Sequence, residues 1–207
     1  MRVKPGPVEM ELKGNEGVID FSQIFQTQGP LEIEVGCGKG RFLVHRAGEN
    51  PDRNFLGLEY ARAYFKTIAN RCEIRGLRNV RVVRAEAFDF FRQNVPDHSV
   101  SAFHLLYPDP WPKKRHHKRR LIRGEFLAEL RRTLVRGAIV NIATDHRGYF
   151  DWMCEQFDDW KGTFVLDRQI LSTREDLAEI EGRTNYEVKY IREGRPLHFI
   201  TGYRTGF

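Results

Sequence analysis

Cysteine is scarce in this sequence: three in 207 residues, at Cys37, Cys72 and Cys154. They are odd in number, widely separated and form no C-x-x-C pair. That argues against a disulfide framework and against a zinc site, and leaves reduced, structural thiols as the expectation. Also missing is any apolar run near the roughly 20 residues of a membrane span. The opening Met1-Arg2-Val3-Lys4-Pro5-Gly6-Pro7 lacks the apolar core of a secretory signal, so the cytoplasm is the expected compartment. No repeat, linker or low-complexity segment divides the chain. What is present, 41% hydrophobic residues at a mean hydropathy of −0.54, describes a soluble domain with material for a full core.

Charge is unevenly spread. The chain carries 34 Lys and Arg against 28 Asp and Glu, a net of +6. Lys113, Lys114, Arg115, Lys118, Arg119 and Arg120 fall within eight residues that contain no acid, leaving 28 of each sign elsewhere. The whole net charge is therefore one patch. Such a run is commonly a solvated face; inside a domain and beside a cleft it suits contact with phosphates. His116 and His117 within it lack metal-site spacing, and no metal is expected.

The pattern of elements follows from periodicity. Residues 1–29 read as a loose Pro- and Gly-containing lead-in carrying one short helix, Phe21 to Phe25, capped by Asp20. From residue 30 to 207 a single domain alternates strands and helices. Strands are expected at 31–36, 55–59, 80–83, 100–107 and 138–143, and helices at 40–49, 61–75, around 88–91, 122–135 and 147–157. Further strands are expected at 164–166 and 197–203, one of them antiparallel, around a charged helical stretch near 174–193. Five β-then-α units in series predict an α/β fold, a doubly wound and mostly parallel seven-stranded sheet with helices on both faces.

Two loops of this scheme carry chemistry. Glu34-Val35-Gly36-Cys37-Gly38-Lys39-Gly40 joins the first strand to its helix, where glycines permit a tight turn and close approach of a ligand. Glu59 ends the next strand, 23 residues beyond Gly36, where a carboxylate can accept from both hydroxyls of a ribose. A nucleotide is thus expected. A dinucleotide fingerprint would need a third glycine at position 41, which is Arg41, and Glu34 would face a pyrophosphate poorly. A carboxylate suits a cationic sulfonium and its amino-acid part, which favours S-adenosylmethionine. Glu86, ending the third strand, fits two roles equally: acceptor for an adenine amine, or helix N-cap.

Tyr107-Pro108-Asp109-Pro110-Trp111-Pro112 follows the fourth strand and should border the same cleft. Three prolines stiffen a loop that offers one carboxylate and one aromatic face, apt for a planar base; the alternative is a Pro-rich turn with Trp111 plugging the core.

Together, E-V-G-C-G-K-G, G-L-E, A-E-A-F, P-D-P-W-P-K-K-R-H-x-K-R-R, A-T-D and Thr184-Asn185-Tyr186-Glu187 resemble the bacterial tRNA (guanine-N7)-methyltransferase family, from about residue 30 to the end. The resemblance implies a Rossmann-like class I methyltransferase fold, S-adenosylmethionine as cofactor, and methylation of N7 of guanosine 46 in the variable loop of tRNA. It implies that Glu34, Gly36, Gly38, Gly40, Glu59, Glu86 and Asp109 bind the cofactor and that Asp109 is catalytic. It further implies that Lys113, Asp145 and Thr184 to Glu187 contact the substrate, and that Lys114, Arg115, His116, His117, Lys118, Arg119 and Arg120 contact RNA. The usual residue at Glu86 is Asp. Taken without the resemblance, Asp145 fits a helix cap and Thr184 with Glu187 a capping box.

N7 of guanine has an in-plane lone pair and no proton, so in-line displacement needs positioning more than a base, with Asp109 orienting the guanine. The rival readings are a non-catalytic RNA-binding protein, a dinucleotide-dependent oxidoreductase, and a protein or small-molecule amine methyltransferase. A monomer or a homodimer is expected.

Overall fold

In the computed structural model, residues 8–10, 12, 17–171 and 184–206 are described. In chain order they form β1 (Glu9–Met10), α1 (Phe21–Ile24), β2 (Leu31–Val35), α2 (Arg41–Glu49), β3 (Asn54–Leu58), α3 (Arg62–Ile74), β4 (Val80–Val83), α4 (Ala87–Asn94) and β5 (Val100–Leu106). A 3₁₀ turn (Lys114–Arg119) follows, then α5 (Gly124–Thr133), β6 (Leu134–Thr144), α6 (Arg147–Asp158), β7 (Phe164–Leu171), α7 (Asn185–Glu193) and β8 (Leu197–Arg204). Of the helical stretch expected near 174–193, the part before residue 184 lies outside the described residues.

The strands make one sheet in the order β1-β4-β3-β2-β5-β6-β8-β7, in which β8 alone runs opposite to the others. It has eight strands where seven were expected. The extra strand, β1, comes from the stretch read as a loose lead-in; two residues paired to Val82 and Val83 are too few to show a periodicity. β6 also starts earlier than expected, at Leu134. Its pairing to β5 jumps from Val100↔Leu134 to Ala102↔Ile139, so residues between bulge out, with Gly137 in the left-handed region at φ 77°.

The chain leaves β2 toward β3 and β4, then returns to run outward through β5 and β6. The sheet therefore reverses direction between β2 and β5. In open α/β sheets the crevice at such a reversal receives ligands, and here it lies between the glycine loop after β2 and the Pro-Asp-Pro-Trp loop after β5.

The core beneath is largely aromatic on the side of α4 and α5. Phe91, Phe103 and Phe126 meet at ring separations of 5.2–5.9 Å, all wholly buried. On the opposite side lies a polar knot. Glu32 of β2, 1% exposed, takes Arg46 Nη2 and Arg53 Nη1, each at 3.1 Å, on one oxygen. His104 Nε2 lies 3.0 Å from the other, and Asn141 Nδ2 lies 3.3 Å from His104 Nδ1. This geometry fits a neutral His104 carrying its proton on Nε2.

Burial opposes the charge on Glu32, but hydrogen bonds from His104 and Arg46 outweigh it and hold the carboxyl down at about 2. Burial likewise lowers His104, despite its bond to Glu32. Both folded values lie below the unfolded ones, so both contributions are full near neutrality and are lost as pH falls. Loss should begin below about 6.5 with His104 and steepen below about 4.5 with Glu32, the latter worth on the order of 3 kcal/mol. Urea unfolding across this range should show the steep acid phase in the wild type and not in Glu32→Gln. An identical slope in the variant would place the effect elsewhere.

Cys37, Cys72 and Cys154 are unpaired thiols; burial raises all three, Cys72 to about 12, and keeps them protonated. Among the described residues no helix is long and apolar enough to cross a membrane.

Candidate active site

The glycine loop turns on three left-handed residues, Gly36, Gly38 and Gly40, at φ 72°, 54° and 71°. A side chain at Gly36 would meet nothing within 4 Å, so that position opens onto the cleft; one at Gly40 would strike Ile68 at 2.9 Å. Gly40 is the N-cap of α2 and lines neither cavity described below. Its role is to let α2 start against α3.

Two cavities meet at Gly36. One, of about 380 Å³, lies across the carboxyl ends of β2 to β5 and brings together Gly36, Glu59, Glu86, Asp109 and Trp111. Lys118, Arg119 and Arg120 reach the same space. The other, of about 200 Å³, lies between the glycine loop and the start of α7, with Glu34, Gly36 and Gly38 facing Thr184, Asn185 and Tyr186. Glu34, Gly36, Gly38, Glu59, Glu86 and Asp109, read as cofactor-binding, and Thr184, Asn185 and Tyr186, read as substrate-binding, thus line two adjoining cavities, although up to 152 positions of sequence separate them. Gly40, Lys113, Asp145 and Glu187 line neither.

Each carboxylate stands in a different setting. Glu59 is 8% exposed, and its two oxygens accept from Gly38 N and Ala61 N, each at 2.8 Å. It ties the glycine loop to the end of β3 and keeps lone pairs for a ligand. Glu34 is 3% exposed, and its Oε2 has no hydrogen-bond partner. Burial pushes Glu34 up to about 8, and the Glu59 carboxylate adds to the rise. Glu86 caps α4, accepting from Asp89 N at 2.9 Å while lining the larger cavity, so the cap is present and the ligand role is compatible with it. Asp109 is exposed at the cleft mouth.

The Asp109 loop is bracketed by two residues that are not glycine yet lie in the left-handed region, Tyr107 at φ 55° and Trp111 at φ 44°. Trp111 is half-buried rather than a core plug. Arg119 covers its ring at 4.7 Å and His116 meets its edge at 5.8 Å.

The other expected residues divide. Lys113, Lys114, Arg115, Lys118 and Arg119 are exposed, and His116 and His117 are half-buried, His117 against Trp152. Arg120, read with this run as an RNA contact, is turned inward and is 4% exposed. Asp145 does not cap α6; His146 does, through Nδ1 to Tyr149 N at 3.1 Å. Asp145 instead pairs with Arg195 at 3.0 Å. Thr184 caps α7 by accepting from Glu187 N at 3.0 Å, and Glu187 is buried. Burial raises Tyr186, with Tyr64, Asp109 and Glu59 adding to the rise, and its side chain lines the smaller cavity. Tyr60, Tyr64 and Tyr149 also line the cleft. The sequence gives no signal for Tyr149, which arrives from α6; Tyr60 could have been suspected from its place beside Glu59.

The cleft and its topology are those of a class I methyltransferase. A family model described as "Putative methyltransferase" matches residues 28–200. The fold is shared with the 16S rRNA methyltransferase KamB, 19% identical at a TM-score of 0.68 over 92% of this chain and 95% of that one. It is shared too with phosphoethanolamine N-methyltransferase 2 of Haemonchus contortus, solved with S-adenosyl-L-methionine, 13% identical at a TM-score of 0.56 over 87% and 50%. Nearer in sequence are tRNA (guanine-N(7)-)-methyltransferases. That of Geobacter metallireducens is 34% identical over 183 residues, 87% of this chain and 85% of that protein. That of Aliivibrio fischeri is 37% identical over 140 residues, 68% of this chain and 59% of that protein. The chain belongs to the tRNA (guanine-N(7)-)-methyltransferase family.

Proposed function

We propose that this protein transfers the methyl group of S-adenosylmethionine to N7 of guanosine 46 in the variable loop of tRNA. The observation that carries the reading is the shared cleft: Asp109 opens onto the same cavity as Gly36, Glu59 and Glu86, with Lys118 and Arg119 on its rim. The residues fit the cofactor. The unpartnered Oε2 of buried Glu34 awaits a cation, Gly36 opens onto free space, and Glu59 keeps lone pairs for hydroxyls. When bound, S-adenosylmethionine supplies a methyl carbon activated by its sulfonium. Glu34 would hold the ammonium of the amino-acid part, Glu59 the ribose, and Glu86 the adenine end.

Asp109 has no proton to remove from N7. It would accept from guanine N1–H and the exocyclic amine, fix the ring plane, and stabilise the positive charge that appears on the purine. Incubating the protein with labelled cofactor and unmodified tRNA, then resolving the nucleosides, should place the label in N7-methylguanosine; label in another nucleoside would refute the assignment.

Glu34 gives a second readout. With its folded value near 8, it carries a proton at pH 7. A cationic ligand on Glu34 lowers that value, so binding should release close to one proton and tighten as pH rises toward 8. Calorimetry at pH 7 in two buffers of different ionisation enthalpy measures the release, which Glu34→Gln should abolish. Release unchanged in the variant would remove Glu34 from the cofactor site.

A further inference from the structure

The run of six cations is not one surface. Arg120 Nε donates to the carbonyl of Pro110 at 2.9 Å. Its guanidinium lies 4.9 Å from the Tyr149 ring and 5.2 Å from that of Trp152, both on α6. Tyr149 is wholly buried, and Trp152 is itself held by its Nε1 bond to Ile122 O at 2.9 Å. A planar cation between two anchored rings has little rotational freedom.

What it holds is the Pro110–Trp111 peptide, one residue past Asp109. The prolines at 108, 110 and 112 fix φ at their own positions, but Tyr107 and Trp111 sit in the left-handed region. Non-glycine residues persist there only when their surroundings over-determine them. The Arg120 bond supplies such a restraint in the middle of the bracketed segment.

We infer that Arg120 is a positioning residue for Asp109, acting through the Pro110 carbonyl and anchored on Tyr149 and Trp152, and that it does not contact RNA phosphates. The inference rests on the reading of Asp109 as the group that orients the base.

Arg120→Lys keeps the charge and loses both the directed Nε–H and the flat stacking surface. Expected is a kcat lowered about 10- to 100-fold, with the dissociation constants of S-adenosylmethionine and tRNA, and the salt slope of tRNA binding, unchanged. Arg120→Gln removes the charge as well: the same loss of kcat with unchanged tRNA affinity and salt slope is expected. A phosphate contact would instead make Arg120→Gln weaken tRNA binding, reduce the slope by close to one, and preserve kcat at saturating tRNA; that result overturns the inference. So does a lowered melting temperature with full kcat per folded molecule. In an Asp109→Asn background, Arg120→Lys should lower kcat no further, because the two act as a unit; an independent multiplicative loss contradicts it. If Arg120→Lys does not fold, Trp152→Phe loosens the same anchor and should lower kcat less, again without touching the salt slope. A kcat left at the wild-type level in that variant would refute the inference. Should Asp109→Asn retain wild-type turnover, the reading of Asp109 fails; should it lose turnover while Arg120→Lys does not, only this inference fails.

Discussion

Asp109→Asn should lower turnover by about 10²- to 10³-fold, the scale seen when one pre-aimed group is removed from charge that develops in a transition state. The substitution keeps the shape of the side chain in a loop stiffened by three prolines and bracketed by Tyr107 and Trp111. Geometry should therefore survive while the charge does not. An amide oxygen still accepts one hydrogen bond from guanine, but the NH₂ group opposes the second donor and offers nothing to a purine becoming cationic. Cofactor affinity should change only a few-fold, because Glu34 on β2, Glu59 just after β3 and Glu86 at the N-cap of α4 are held by elements other than the Asp109 loop. Single-turnover kinetics with saturating tRNA, together with calorimetry of the cofactor alone, separates the two. Turnover kept at the wild-type level would remove Asp109 from catalysis; a loss of cofactor binding matching the loss of turnover would make it a cofactor ligand.

The second large effect concerns the exposed cations. Replacing Lys114, Arg115, Lys118 and Arg119 by Ala should weaken tRNA binding on the order of 10²-fold at moderate salt. It should also flatten the dependence of log K on log salt by about three units, since each neutralised phosphate contributes about 0.7–0.9. Arg120 is left out because its burial against Tyr149 and Trp152 makes it part of the loop's support. Cofactor binding should be unaffected. Filter binding from 50 to 300 mM salt decides: an unchanged slope would make the run a solvated face, and a loss with no salt dependence would point to Trp111, whose ring Arg119 covers.

Much of the fold was legible because its strands are rich in Val, Ile and Leu and are separated by helix-period segments with glycine stops. The cleft was legible for a topological reason: loops after β2 and β5 must adjoin once the sheet is doubly wound. Where legibility ended, the cause lay in partners distant in sequence. Leu31 to Val35 alternates apolar and acidic residues as a half-exposed strand would, yet all five are buried. Glu32 is compensated by Arg46, Arg53 and His104, and Glu34 faces the cleft. The inward turn of Arg120 could not be read from a run of like charges, which has no period to mark one member as different. Asp145 has the local pattern of a cap, and only the fold shows Arg195 beside it. The capping reading of Thr184 was visible locally because its partner, Glu187 N, is three residues away.

The most direct test places 7-deazaguanosine at position 46 of an otherwise unmodified tRNA, so that a C–H group stands where N7 was. The base keeps N1–H and the exocyclic amine that Asp109 would hold, and the phosphates that Lys114 to Arg119 would meet are untouched. The proposed function predicts binding equal to that of unmodified tRNA and no methyl transfer from labelled S-adenosylmethionine. Transfer at the rate seen with guanosine 46 would contradict it.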